Sequence, residues 1–417
     1  MISHIKKLFP ICRSITGAGT LKTLNYFKKI NPSFKIISFQ SGQKVFDWTV
    51  PLEWNIKNAY IKHLKSGKKF ANFNDNNLHV VNFSTKIKKI LDLKALKKNI
   101  HIQKKQPKAI PYVTSYYKKT WGFCLNQIQF KSLPKGKYEV LIDSNHKKGQ
   151  LNLASAILKG KSKKEIFFSS YVCHPSMANN ELSGPVLLNE ILNYVKNIKN
   201  RKFTYRFALV PETIGAICYI HRFKNNLKNI IAGYNLSCVG DERNYSIIKN
   251  QDENCISTQS LESALVSKKN VKIYSYLDRG SDERQYCSPL IKIPLSGFCR
   301  SKYGTFKEYH TSLDDLNLVT QKGMEQSLQV FKTIISSFEG GLRPISNVYC
   351  EPKLDKLGIY PTLSIKNNDK KYAKKILNFL AYSDGKRNIF EIAKKINIDL
   401  DQINLISKFC KKNKYIK

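Results

Sequence analysis

Apolar residues recur three and four apart over residues 3–9 and 20–30, the spacing of amphipathic helices. Phe34-Lys35-Ile36-Ile37-Ser38-Phe39 alternates instead, which predicts a strand. Residues 45–56 are aromatic and strand-like, and Leu78-His79-Val80-Val81-Asn82-Phe83 is a further strand candidate. Up to about residue 130 the main helical spacing lies over 86–98, so this stretch reads as a separate, mostly β module. From about residue 137 the texture changes. Strands at 138–143, 149–158 and 165–172 lead into helix 184–198, strand 203–210, helix 214–224 and strand 230–239. Such alternation predicts an α/β domain with a mixed, mainly parallel sheet covered by helices.

Residues 321–338 predict one strongly amphipathic helix, and Gly340-Gly341-Leu342-Arg343-Pro344 marks a boundary after it. The tail predicts helix 373–382, a turn at Ser383-Asp384-Gly385, a short helix 388–396, and a last helix 400–412 capped near Asp399. Helix, turn, helix, turn, helix suits a helix-turn-helix or winged-helix module. The expected division is a catalytic domain over 1–45 and 130–343, an inserted β-rich domain over 46–129, and a winged helix-turn-helix-like domain over 350–417.

Composition narrows the class. The chain has 417 residues, enough for two or three domains, and no run of eighteen apolar residues, so no membrane insertion is expected. Met1 to Ile11 is amphipathic without a signal-peptide core or cleavage site, which predicts a cytoplasmic protein. The ten cysteines are scattered without a CxxC, as free core thiols in a reducing compartment would be. The formal charge of +41 suits attraction to nucleic acid or anionic saccharides and lipids. Compositional drift explains it as well, because lysine, asparagine and isoleucine are spread along the whole chain.

The chemistry concentrates at the ends of apolar segments, where ligands gather in open α/β sheets. His174 follows the run Glu165–Val172, and His310 precedes the 321–338 helix. Between them lie Glu212, Asp241, Asp282 and Glu283, each at such a junction. Neutral imidazoles, ionised carboxylates and a nearby base are what a zinc hydrolase assembles. Each residue also has a plain structural reading: a lone histidine in the core, Glu212 capping the following helix, Asp241 and Asp282 as loop residues. Trp48, Trp54, Tyr112, Tyr116, Tyr117 and Trp121 suit either a substrate cleft or the core of a small β domain. Arg13-Ser14-Ile15-Thr16-Gly17 suits the mouth of a site or an N-terminal turn.

Longer stretches carry a resemblance. Cys173-His174-Pro175-Ser176-Met177-Ala178-Asn179-Asn180-Glu181-Leu182-Ser183-Gly184-Pro185 resembles the signature of a bacterial family of aminopeptidase-like proteins. Phe46–Pro51, Pro111–Tyr117, Trp121–Cys124, Pro211–Gly215, Ser281–Gln285 and Tyr309–Leu316 match as well, so the resemblance spans almost the whole chain. That family is similar to zinc aminopeptidases and glutaminyl cyclases, with an inserted β-rich domain, a C-terminal winged helix and an association with polysaccharide biosynthesis. Carried over, the resemblance implies His174, Asp241 and His310 as zinc ligands and Glu212 as general base. The carboxylate that bridges two metals falls on Asn180, the second of two glutamates on Thr213, and a supporting aspartate on Ser176.

Those departures favour one metal. Two divalent ions about 3.5 Å apart repel by roughly 19 kcal/mol at an effective dielectric near 20, and anionic ligands must offset that. The expectation is one zinc per chain, with Asn180, Asp282 and Glu283 as further metal or substrate contacts. The expected activity is an aminopeptidase-like amide hydrolase acting on a peptide or aminoacyl small molecule. The alternatives are a decayed peptidase scaffold that binds or regulates, or a protein or nucleic-acid partner engaged through the C-terminal module.

Overall fold

The computed structural model describes residues 1–357 and 367–417. Its main sheet has eight strands in the spatial order Lys35–Gln40, Gln150–Leu158, Thr204–Val210, Glu165–Tyr171, Ile230–Leu236, Leu295–Cys299, Tyr245–Ile248 and Val271–Tyr274. The four middle strands from Thr204–Val210 to Leu295–Cys299 run parallel, and antiparallel pairs flank them. All residues of Glu165–Tyr171 and Thr204–Val210 are buried, which is why both read as continuous apolar runs rather than alternating ones.

Both faces of this sheet are covered. On one side helices Ala18–Ile30, Ser183–Lys196, Ile256–Leu265 and Gln321–Gly341 contribute to a core containing Phe27, Leu187, Leu261 and Phe331. On the other, helix Ile214–Phe223 contributes Ile217 and Tyr219 to a second core with Phe167 and Leu295. Parallel strands end on the same edge, so the turns after Tyr171, Val210, Leu236 and Cys299 all open there.

A second sheet, antiparallel, has the order Lys69–Phe70, Glu53–His63, Lys137–Lys147, Ile87–Asp92. It buries Ala59, Ile61, Tyr138, Val140 and Ile142 on one face. The strand expected at 138–143 therefore lies in this smaller sheet and not in the main one. Its alternation of buried and half-exposed residues is the mark of a one-sided sheet. The helix expected over 86–98 is a strand, Ile87–Asp92, followed by one helical turn, Leu93–Lys97, that Asp92 caps. Pairing with Lys137–Ile142 overrides the local spacing there. The strand expected at 78–83 begins as a 3-10 turn, Asn77–His79, capped by Asn76.

The tail forms helices Asn367–Ala381, Ile389–Lys395 and Leu400–Lys412. Asn388 and Glu391 make a reciprocal capping box on the second, and Asp399 caps the third. This module shares its core with the main domain. Phe390 meets Phe338 edge-on at 5.2 Å, and Leu400, Ile403 and Ile406 are buried in the same cluster as Phe331. Thr333 of the Gln321–Gly341 helix donates to Asp401, and Asn404 donates back to the Thr333 carbonyl.

Candidate metal and catalytic site

His174 follows the Glu165–Tyr171 strand and is almost wholly buried. Its Nδ1 lies 2.8 Å from a carboxylate oxygen of Glu181, which also accepts from the Cys173 backbone N–H at 2.7 Å. Arg13, fully buried, donates to the His174 carbonyl at 2.9 Å and lies 3.4 Å from Glu181. A carboxylate on Nδ1 fixes the ring so that Nε2 faces the site, as in many metal-binding histidines. That Nε2 is 3.7 Å from Glu212 Oε2. The other Glu212 oxygen accepts from the Ser281 hydroxyl at 2.7 Å, so the carboxylate is held from one side and free on the other.

His310 arrives from the long loop after Leu295–Cys299. Its ring centroid is 5.3 Å from that of His174, and it stacks on Tyr309 at 3.9 Å. Tyr112 touches both imidazoles, at 5.2 and 5.1 Å, and its backbone N–H donates to the His310 carbonyl. His310 Nε2 is buried without a hydrogen-bond partner. Burial and the neighbouring His174 push the His310 pKa down to about 3, so this ring is neutral at physiological pH, the form that binds metals. Burial acts in the same direction on His174, but Cys173 and Glu181 overcome it and raise its pKa.

Asn180 sits in a π-helical turn, Ala178–Leu182, that enters the Ser183–Lys196 helix; such turns recur at functional sites. Asp314 anchors this turn by accepting from the N–H groups of Ala178, Asn179 and Asn180. Asn180 Nδ2 is buried and unpartnered, and its oxygen faces Tyr171 and Cys238.

Asp241 is not in this cluster. Asn179 Nδ2, Ser301 N, Ser301 Oγ and Arg243 N all donate to its two oxygens within 3.0 Å. It braces the back of the π-helical turn, and its distance along the chain explains why: the strand ends at Leu236, four residues before Gly240. Asp282 is buried against Glu212; it accepts from the Thr213 N–H at 2.7 Å and leaves its second oxygen unpartnered. Burial and then Glu212 raise its pKa well above the carboxylate range. Glu283 accepts from Asn235 at 3.0 Å and from Ser281 N, a structural set of bonds.

Backbone strain gathers around the same edge. Ser176, Thr213, Cys238 and His310 all have positive φ, of 45°, 65°, 52° and 54°. For Thr213, β-branched, such a conformation costs on the order of 1–3 kcal/mol and persists only where the surroundings enforce it. Glu181 and Asp314 are site residues to which the motifs gave no role, whereas Arg13 and Tyr112, expected at a site mouth or in a cleft, both lie against His174. Glu181 had a local signal, an acidic residue seven positions after His174 within a run of small and apolar neighbours. Asp314 lies four residues after His310, but its bonds to the Ala178–Asn180 backbone leave no local mark.

This edge of a helix-covered, mainly parallel sheet, with two imidazoles meeting over it, defines an aminopeptidase-like α/β protein. The chain belongs to the family described as domain of unknown function DUF4910, which matches residues 2–341; a winged helix-turn-helix model matches residues 343–417. It is 39% identical over 403 residues to a Clostridium acetobutylicum protein named for polysaccharide biosynthesis and an aminopeptidase-like domain, spanning 96% of this chain and 92% of the relative. A crystal structure of a Clostridium acetobutylicum protein with a provisional peptidase name superimposes with a TM-score of 0.91 at 36% identity, covering 100% of this chain and 95% of that one. A zinc aminopeptidase from Bacillus subtilis shares the fold, with a TM-score of 0.58 at 13% identity over 81% of this chain and 94% of its own. Among the described residues no helix is long and apolar enough to cross a membrane.

Proposed function

We propose that the chain is a single-zinc, aminopeptidase-like amide hydrolase. The observation that carries this reading is the meeting of His174 and His310, 5.3 Å apart, with one imidazole nitrogen buried and unpartnered and Glu212 at the open side. Two imidazoles, one oriented through Glu181, and a nearby carboxylate are donor types that suit a divalent ion, which would draw together ligand atoms that do not all lie within 4.8 Å of one another. The His174 and His310 imidazoles would hold the metal. When bound, zinc would supply Lewis acidity to the amide carbonyl and to water. Glu212 Oε2, partly open to solvent, takes a proton from water and returns it to the departing amine nitrogen. Asp282 accepts from the N–H of the strained Thr213 and thereby fixes the backbone that carries Glu212. The substrate is a peptide or an aminoacyl small molecule, a reading the aminopeptidase-like relative supports.

With Asp241 engaged elsewhere, the protein supplies fewer anions than a two-metal site needs. Protein purified without chelator is expected to carry at most one zinc per chain and to release it readily to a chelator. Elemental analysis alongside turnover of aminoacyl amides tests this. Two tightly held ions would contradict the single-site reading, and turnover unchanged after complete zinc removal would contradict the zinc-dependent one.

A second reading, a decayed scaffold that only binds, draws on Asn180. An amide stands where a bridging carboxylate is implied, and its Nδ2 has no partner. Zinc-replete protein inert toward every aminoacyl amide would favour it.

For the C-terminal module we infer a bracing role instead of sequence-specific DNA reading. In a helix-turn-helix the later helix enters the major groove, starting with its N-terminal residues. Here the Leu400–Lys412 helix begins against the Gln321–Gly341 helix, with Leu400 and Ile403 buried and Asp401 and Asn404 bonded to Thr333. Duplex DNA is expected to bind through charge alone. Affinity should fall steeply with salt and not differ between sequences, whereas tenfold discrimination between duplexes in a gel-shift series would refute the inference.

A further inference from the structure

Beside the site lies a groove of about 530 Å³, lined by loop residues and by His146 of the smaller sheet. Its walls are Pro51, Phe83, Tyr116 and Tyr117, and Lys118 and Lys119 stand at its rim. Among the described residues no acidic side chain lines it. Tyr117 is 75% exposed, with Trp48 edge-on at 5.9 Å. The groove is joined to the site: the Tyr116 hydroxyl lies 2.8 Å from that of Tyr112, and Tyr112 touches both imidazoles. Ion pairs in the neighbouring sheet link Lys86 to Asp143 and Lys147 to Glu53, but among the described residues neither Lys118 nor Lys119 has a carboxylate partner. Arg284, which donates to the Thr213 hydroxyl beside Glu212, and Glu212 itself both act on Tyr117, so the carboxylate of the site offsets this cation and the two lysines set the charge of the groove.

We propose that this groove is a subsite for the leaving part of an acidic substrate, one that carries a carboxylate beyond the scissile amide. The proposal rests on the amide-hydrolase reading and deepens it. Aromatic faces take the apolar face of a ring or side chain, and two unpaired ammonium groups on one rim complement an anion that enters there. The chain is basic everywhere, so charge alone does not single out a site. What distinguishes this pair is its position on an aromatic groove one hydroxyl contact from the residue that touches both histidines.

The test is calorimetric binding to the full-length protein, which needs no turnover. Two ligand pairs separate the source of the carboxylate: alanyl-glutamate against alanyl-glutamine, both as C-terminal amides, and an N-alanyl amino-uronic acid against the corresponding N-alanyl amino sugar. Three proteins are compared: wild type, Lys118→Ala/Lys119→Ala, and a control, Lys88→Ala/Lys89→Ala, which removes two exposed lysines from the Ile87–Asp92 strand. The acidic member of one pair is expected to bind about tenfold more tightly in wild type, in line with two exposed charges acting together. That preference should disappear in the groove variant and persist in the control. Equal loss in both variants, or no preference in either pair, overturns the proposal. If the preference holds but no amide is cleaved, the subsite stands and the hydrolase reading fails. Cleavage of acidic and neutral substrates alike, without a binding preference, gives the converse.

Discussion

Replacing Arg13 with methionine is expected to lower the unfolding free energy by roughly 3–5 kcal/mol, because it takes the guanidinium from the buried Glu181 carboxylate, leaving His174 as its charged partner, and strips two buried carbonyls of their donor. Arg13 and Glu181 are both fully buried, 3.4 Å apart, and the guanidinium also ties the His174 carbonyl and the Leu8 carbonyl together. Urea unfolding followed by circular dichroism reads the loss. Burial depresses the Arg13 pKa and Glu181 opposes that shift, so the two charges are interdependent. The double variant Arg13→Met/Glu181→Gln should therefore lose less than the two single losses added together. Additive losses, or a single variant as stable as wild type, would show that the pair is not what holds His174 in place.

Glu212→Gln is expected to retain zinc and to lose turnover by about 10²–10⁴-fold, the usual contribution of a positioned general base. The amide keeps the size of the side chain and can keep the bond from Ser281, so the surrounding fold is preserved. It cannot take a proton. Metal content measured on the same preparation separates the roles. Lost activity with unchanged zinc fits the base, activity comparable to wild type excludes it, and loss of zinc together with activity would make Glu212 a ligand.

The helices and strands of the main domain were legible because burial imposes a period. Glu165–Tyr171 and Thr204–Val210 are buried on both faces and read as unbroken apolar runs, while Gln321–Gly341 carries a continuous apolar stripe. The smaller sheet was less legible. Ile87–Asp92 has one buried residue in six, so its identity comes from its partner strand and not from its own pattern. In the site, His174, Glu212 and His310 were marked by their places after strands and in loops, and the structure brings them together. Asp241 shows the limit of that logic. It follows a strand too, but four residues of turn carry it to the rear of the π-helical segment, where backbone and side-chain donors absorb its charge. Arg13 and Tyr112 approach His174 from separate parts of the chain, and no local pattern records such contacts.

A clasp ties the segment that carries Tyr112 to the His310 loop. Pro111 bridges Thr311, and the Tyr112 amide donates to the His310 carbonyl, so the groove and one imidazole are joined through the backbone. The Tyr112–Tyr116 phenol pair carries that connection on to the groove wall, so a substitution at Tyr116 acts on the imidazole side as well as on the groove.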